Sequence, residues 1–209
     1  MNDGSTTSYF KLNRSCRQGD CISTYLFIIA LEILLIEIRN NDSVKGITIT
    51  DETIKLSAFA DDLSIFLKDT SSLTRVLNIL NKFAQVSGLK VNLKKSEIMY
   101  LGTEKKRKDN CGTALKVVKT VKITGINFGY DQELTDNLNF EPCIEKLERN
   151  LNFWKMRHLS LLGRILVTKA QGLAVLNFIT SMINTPMWVI KRVKKAMFRY
   201  IWKGADKVT

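Results

Sequence analysis

Two adjacent carboxylates, Asp61 and Asp62, lie between two short apolar runs of equal length. The runs are Leu-Ser-Ala-Phe-Ala over 56–60 and Leu-Ser-Ile-Phe-Leu over 63–67. Two such runs separated by only two residues predict a tight β-hairpin. The carboxylates are therefore expected at its tip, where the two like charges repel each other and burial would disfavour both.

A divalent cation would relieve this repulsion, because Mg²⁺ takes hard oxygen ligands and often shares them with substrate phosphates. A solvated turn without any ligand is the alternative, and it is common in hairpins. The flanking residues Ala58, Ala60 and Leu63 are apolar and give the doublet no other polar partner. Asp61 and Asp62 are thus the candidate metal ligands.

A long apolar segment before the hairpin predicts a helix over about 22–39, capped by Asp20 or Ser23. Because this helix is apolar nearly all round, we expect it deep in the core. Glu32 and Glu37 interrupt the segment and argue against a membrane span.

The rest of the chain reads as short strands followed by long helices. The predicted elements are a helix from Thr70 or Ser71 to Gly88, strands near 98–101, 115–123 and 125–130, and helices over 141–157, 160–183 and 186–202. Pro142 is expected in the first turn of the helix over 141–157. The fold class is therefore predicted as α+β, with a mixed part over 1–130, a connector over 131–140 and an all-helical part over 141–209.

The charge of the chain is positive and uneven. Lys and Arg number 32 against 20 Asp and Glu, and residues 141–209 hold 13 basic and 4 acidic residues. A basic face on the last helix would contact phosphates through Lys191, Arg192, Lys195 and Arg199, with Arg157 and Arg164 expected on the same surface. A solvated charged face and an acidic membrane surface are the alternatives, and nucleic acid is preferred to the membrane.

The tripeptide Arg17-Gln18-Gly19 directly precedes the first helix. Gly19 allows a close backbone approach, and a helix N-terminus attracts phosphate. Gln18 offers both a donor and an acceptor to a base or sugar. A plain helix cap with Asp20 at the dipole end is the alternative.

Several segments follow one another in an order typical of one protein family. They are FKLNRSCRQGD at 10–20, AFADDL at 58–63, SGLKVNLKKSE at 87–97, ITGINFG at 123–129 and LSLLGRI at 159–165. In this order they resemble palm and thumb motifs of the reverse transcriptases of non-LTR (LINE-type) retrotransposons. The resemblance spans nearly the whole chain, which makes it specific where each piece alone would not be.

This resemblance implies an RNA-directed DNA polymerase with a partial palm and a helical thumb. Asp61 and Asp62 would hold Mg²⁺ in a two-metal site for nucleotidyl transfer. The nucleotide and template side would be lined by Arg17, Gln18, Gly19 and Lys95, with Lys95 near the triphosphate. The implied partners are an RNA template, a DNA primer or RNA–DNA hybrid, and a dNTP, with the helices beyond 141 gripping the duplex.

The sequence also departs from the family pattern. The family has a further catalytic Asp on a strand before the Arg-Gln-Gly motif, and residues 1–16 contain no such motif, since Asp3 lacks a flanking apolar strand. Cys21 and Thr24 stand where prolines are usual. We therefore expect a truncated copy that does not polymerise alone.

Two other functions are weighed against the polymerase. The first is a non-catalytic nucleic-acid-binding remnant, which the missing upstream Asp favours. The second is a palm-like domain of another two-carboxylate enzyme, such as a nucleotide cyclase. The Arg-Gln-Gly motif and the basic helical tail argue against the cyclase.

The spacing of the cysteines indicates the redox state of their thiols and so the cellular compartment. Cys16, Cys21, Cys111 and Cys143 have no zinc-ligand spacing, which favours reduced thiols. The expectation is an intracellular protein of the nucleus or cytoplasm, not secreted, with no membrane partner. The sequence predicts no oligomeric state.

Overall fold

A computed structural model of the protein describes residues 19–203, which form an α+β structure. The chain divides into two compact units, the first up to Asn92 and the second from Leu93. This division lies well before the connector predicted over 131–140.

The first unit pairs two helices with two short antiparallel hairpins. Its elements are α1 (Cys21–Asn40), β1 (Ile47–Ile49), β2 (Glu52–Ile54), β3 (Leu56–Phe59), β4 (Asp62–Ile65) and α2 (Thr70–Ser87). Strand β1 pairs with β2, and β3 pairs with β4, in two separate sheets. The predicted hairpin around Asp61 and Asp62 is thus present.

Helix α2 has clear signals at both ends. The Asp69 carboxylate accepts a hydrogen bond from the Ser72 amide at 2.8 Å and caps the N-terminus. Gly88 ends the helix at a φ of 77°, a left-handed conformation that glycine adopts without strain. Between these ends α2 packs its apolar face on the core of the first unit, which contains Leu34, Ile38, Val44, Val76, Ile79 and Leu80.

Helix α1 has the predicted limits but not the predicted burial. Only Leu34, Leu35 and Ile38 are buried, and they lie in its C-terminal half. Ile29 and Ile33 remain 63% and 64% exposed. The expectation of a helix deep in the core is therefore wrong. Helix α1 is about 30 Å long, and the core of the first unit covers only its C-terminal half.

Within residues 19–203, two helical stretches have the length and apolar composition of a membrane-crossing segment, namely α1 and Leu161–Met182. The core helix of a soluble protein has the same composition.

The second unit begins with short strands and ends in helices. Its strands are β5 (Glu97–Ile98), β6 (Lys116–Val117), β7 (Thr120–Ile123) and β8 (Ile126–Gly129), and its helices are α3 (Gln132–Lys155), α4 (Leu161–Val167), α5 (Ala174–Met182) and α6 (Met187–Ile201). Strands β5 and β6 are parallel, and β7 and β8 form an antiparallel hairpin. A π-helical segment, Thr168–Leu173, joins α4 to α5 without a break.

Helix α3 begins nine residues before the predicted start at 141. The Asp131 carboxylate caps it by accepting from the Leu134 amide at 3.2 Å. The buried Asn139 side chain hydrogen-bonds Asn127 of β8, at 2.8 Å to both its N–H and its carbonyl. These contacts stabilise the part of α3 that precedes Pro142. The proline therefore lies inside the helix and not in its first turn.

One core joins α3, α5 and α6. Its buried members are Phe140, Ile144, Leu147, Leu151, Leu176, Ile179, Val189, Val193 and Tyr200. The π-helical segment approaches α3 closely at Gly172, where a Cβ atom would lie 3.4 Å from Leu151 Cδ2. The second unit thus encloses its own apolar centre.

Candidate functional site

The turn between β3 and β4 contains only Ala60 and Asp61. Phe59 pairs with Asp62 across the hairpin, so these two residues close the loop. Ala60 has a φ of 52°, in the left-handed region where a side chain is strained. The strained two-residue turn places the two carboxylates next to each other at the tip.

The strand register gives the hairpin two different faces. Leu56 pairs with Ile65, and these two residues and Leu63 pack against the core of the first unit. Because side chains alternate along a strand, Asp62 and its partner Phe59 lie on the other face. The apolar face therefore anchors the hairpin and leaves Asp62 exposed.

Both carboxylates are free of protein partners within residues 19–203. Asp61 and Asp62 are exposed, and neither carboxylate has an ion pair or hydrogen bond to another described residue. Their oxygens are the hard ligands that Mg²⁺ prefers, so the doublet suits this ion as part of a ligand set. The described residues contain no group of three or more acidic, His or Cys side chains that could hold a metal.

The segment before α1 is described only from Gly19 onward, so Arg17 and Gln18 lie outside the described residues. Gly19 has a φ of 89°, and no heavy atom of the described residues 19–203 lies within 4 Å of where its Cβ would be. Asp20 caps α1, since its carboxylate accepts from the Ile22 amide at 3.3 Å. The predicted cap is confirmed.

Lys95 lies in a turn just before β5 and is exposed. It belongs to the second unit, whereas Asp61, Asp62 and Gly19 belong to the first. Its predicted position near a triphosphate stays a prediction.

Helix α6 has the predicted amphipathic pattern. Val189, Val193 and Tyr200 are buried. Lys191, Lys195 and Arg199 recur every four residues and are exposed, without a carboxylate partner in residues 19–203. This positive face, which we call the α6 face, can therefore meet phosphates without first breaking an ion pair.

Arg192, also predicted on the α6 face, is half-exposed, and its guanidinium is paired with carboxylates of α3. Its guanidinium donates to Glu141 at 2.6 and 2.8 Å and to Glu148 at 3.2 Å, and so ties α6 to α3. Hydrogen bonds to Glu148 and Glu141 raise the pKa of Arg192. A phosphate that bound Arg192 would have to displace both carboxylates. In the structure Arg192 therefore stabilises the packing of α6 on α3.

Arg164 differs from its prediction in a similar way. Its guanidinium donates to the Ile201 carbonyl at the end of α6, and its Nε is buried without a partner among the described residues. Arg164 therefore joins α4 to α6.

Arg157 is exposed just beyond the end of α3, as a phosphate contact requires. Its Cζ lies 4.9 Å from the Trp154 ring centroid and 5.5 Å from that of Phe153. Sequence reasoning missed the exposed Phe153, although its spacing of four residues from Arg157 was visible.

Comparison with known proteins identifies a family that the chain resembles. The family model described as "Reverse transcriptase (RNA-dependent DNA polymerase)" matches residues 1–128. A protein named "Retrovirus-related Pol polyprotein from type-1 retrotransposable element R2", from Popillia japonica, is 34% identical over 93 residues. That match covers 44% of this chain and 13% of the relative.

A second relative matches over almost all of the chain. "Transposon TX1 uncharacterized 149 kDa protein", from Xenopus laevis, is 24% identical over 211 residues, which cover 98% of this chain. The chain spans 16% of that relative's length. The family match covers more than half of the residues, and both relatives are named as proteins of transposable elements. The chain belongs to the reverse transcriptase (RNA-dependent DNA polymerase) family.

Proposed function

We propose that this chain supplies the carboxylate hairpin of an RNA-directed DNA polymerase palm and a basic helical thumb. The observation that carries the proposal is the β3–β4 hairpin, which exposes Asp61 and Asp62 at a strained tip while its other face is anchored in the core. Two hard carboxylates in this position suit a divalent-ion site.

Asp61 and Asp62 would hold Mg²⁺, which when bound activates the primer hydroxyl and stabilises the leaving pyrophosphate. The protein's own part is to fix both carboxylates on a rigid hairpin. Gly19 would allow a nucleotide to approach the backbone beside α1, and Lys95 would approach the triphosphate. Arg17 and Gln18 would complete that side by the family resemblance.

The α6 face and Arg157 would hold the RNA–DNA hybrid through its phosphates. Lys191, Lys195 and Arg199 are unpaired among the described residues, so their counterions can be exchanged for phosphates. Arg192 and Arg164 support this surface by fixing α6 against α3 and α4. Binding is expected to weaken with salt and to be independent of sequence.

A two-metal site requires more ligands than one doublet supplies, and residues 19–203 offer no third acidic side chain near the pair. We therefore propose that the site needs a further carboxylate that this chain alone does not supply, and that the chain alone does not extend a primer. The test is primer extension by the purified chain with Mg²⁺ or Mn²⁺. No extension is expected, and robust extension would contradict the requirement for a further ligand.

The second candidate is a nucleic-acid-binding remnant without catalysis, favoured by that same incomplete ligand set. Hybrid-duplex binding with a dNTP and Mn²⁺ separates the two functions. A polymerase segment should bind the dNTP only with metal and should lose that binding in Asp61→Ala. A remnant should bind the duplex with no effect of metal or of Asp61→Ala. The matched control is Asp51→Ala, a carboxylate in the β1–β2 turn.

A further inference from the structure

The C-terminal end of α3 exposes an aromatic ring between two arginines. Phe153 is 63% exposed, with Arg149 four residues before it and Arg157 four residues after it. Residues four apart on a helix lie on one face, about 6 Å apart along the axis. Arg157 lies two residues beyond Lys155, the last residue of α3, and its amide donates to the Trp154 carbonyl at 3.1 Å. We call Arg149, Phe153 and Arg157 the α3 stripe.

The aromatic contacts of Arg157 orient its guanidinium without using its hydrogen-bond donors. The Phe153 and Trp154 rings are perpendicular, with centroids 6.0 Å apart, and Arg157 lies within 5.5 Å of both. Such cation–π contacts stabilise an exposed arginine modestly. No carboxylate of residues 19–203 pairs with Arg157, so its donors face solvent.

The surroundings of the ring select an anionic ligand. Residues 149–160 contain three basic residues and no Asp or Glu. Phe153 keeps most of its surface exposed with Arg157 in place, so the ring still offers area for stacking. A second copy of this chain would bring a net charge of +12 to the same positive surface, which disfavours self-association there.

We propose that the α3 stripe is a stacking platform for an unpaired base of the bound nucleic acid. The base stacks on Phe153, and Arg149 and Arg157 contact the phosphates on either side. A base inside a duplex is already stacked on both faces, so the platform takes a single strand or an unpaired end. This inference rests on the proposed function, because it assumes a nucleic-acid ligand, and it adds that the strand is unpaired at α3.

The test measures binding of a short single-stranded RNA that carries one 2-aminopurine, with the matching blunt RNA–DNA duplex as comparison. Fluorescence anisotropy gives the affinity, and 2-aminopurine emission reports stacking. The variants are Phe153→Ala, the conservative Phe153→Tyr, and Phe178→Ala as the matched control. Phe178 is 55% exposed in the same unit, and the residues four positions away, Ala174 and Met182, are uncharged.

Phe153→Ala should weaken single-strand binding about 5- to 150-fold, the range found for loss of one base–aromatic stack. Its duplex affinity and the salt dependence of binding should stay nearly unchanged, because Trp154 still contacts Arg157 and no phosphate contact is lost. The change in 2-aminopurine emission should disappear in Phe153→Ala. It should persist in Phe153→Tyr and Phe178→Ala.

Two results would overturn the platform while leaving nucleic-acid binding intact. One is equal single-strand affinity in Phe153→Ala and Phe178→Ala, and the other is an equal loss for single strand and duplex. A wild-type chain that binds neither ligand at low salt would contradict the proposed function itself, and the platform with it.

Discussion

In the second unit three helices enclose one core, whereas in the first unit helix α1 is buried only along its C-terminal half. Phe140, Ile144 and Leu147 are fully buried in the second unit, while Ile29 and Ile33 of α1 remain mostly exposed. The first unit also carries the unpaired Asp61 and Asp62. The second unit thus completes its apolar core from its own residues, and the first leaves both apolar and acidic groups available for contact.

This difference predicts where truncation of a side chain is most damaging. Leu147→Ala removes a fully buried side chain from the α3–α5–α6 core and should cost about 2–5 kcal/mol of unfolding free energy. Leu162→Ala, at an exposed position of α4, should cost less than about 0.5 kcal/mol. Urea denaturation of both variants measures this, and equal losses would contradict the proposed core.

The same contrast exists within α1. Ile38→Ala should destabilise the first unit by about 2–3 kcal/mol, because Ile38 is fully buried against α2 and the hairpins. Ile33→Ala should change stability by less than about 0.5 kcal/mol. Amide hydrogen exchange in α2 reads out the first unit separately. Protection that falls as much in Ile33→Ala as in Ile38→Ala would show that α1 is covered on its other side.

Neighbouring cations on α6 should have opposite roles. Arg192→Ala breaks two half-exposed ion pairs to α3 and should cost about 0.5–1.5 kcal/mol of stability, with little effect on the salt dependence of nucleic-acid binding. Lys191→Ala should leave stability nearly unchanged and lower the salt slope by about 1. Denaturation and a salt titration of both variants test this, and a reversed pattern would refute it.

The smallest expected effect is electrostatic and concerns the cap of α2. Hydrogen bonds from the Ser72 side chain and amide lower the pKa of Asp69 to about 2. Because this pKa lies below the unfolded value of about 3.9, the charge stabilises the first unit above pH 4. That stability is lost as the pH falls from about 4 through 2.

Asp69→Asn keeps a capping side chain and removes the charge, so it isolates this contribution. Wild type should be more stable than Asp69→Asn by a few tenths to about 1 kcal/mol at neutral pH, since solvent screens this partly exposed group. The two proteins should converge as the pH falls below about 2. A difference in unfolding free energy that does not depend on pH would contradict the assignment.

Local signals in the sequence predicted local structure well. The two apolar runs around Asp61 and Asp62 predicted the hairpin, and Gly88 predicted the end of α2, because turns and caps depend on residues close in sequence. The amphipathic pattern of α6 was likewise visible in its periodicity.

Features that depend on distant residues could not be predicted from the sequence. The start of α3 was missed because buried polar residues such as Asn139 resemble loop residues until β8 supplies their partners. Arg192 was predicted as a phosphate contact because its partners, Glu141 and Glu148, lie 51 and 44 residues away. Exposure of α1 depends on which elements cover it, and hydropathy alone contains no such information.

The central claim, that Asp61 and Asp62 form a divalent-ion site, is tested most directly by NMR of the ¹⁵N-labelled chain with Mn²⁺. Paramagnetic broadening should appear first at the amides of Ala60 to Leu63. It should be absent in the Asp61→Asn, Asp62→Asn double variant and unchanged in Asp51→Asn. Broadening that begins elsewhere, or that persists in the double variant, would contradict the claim.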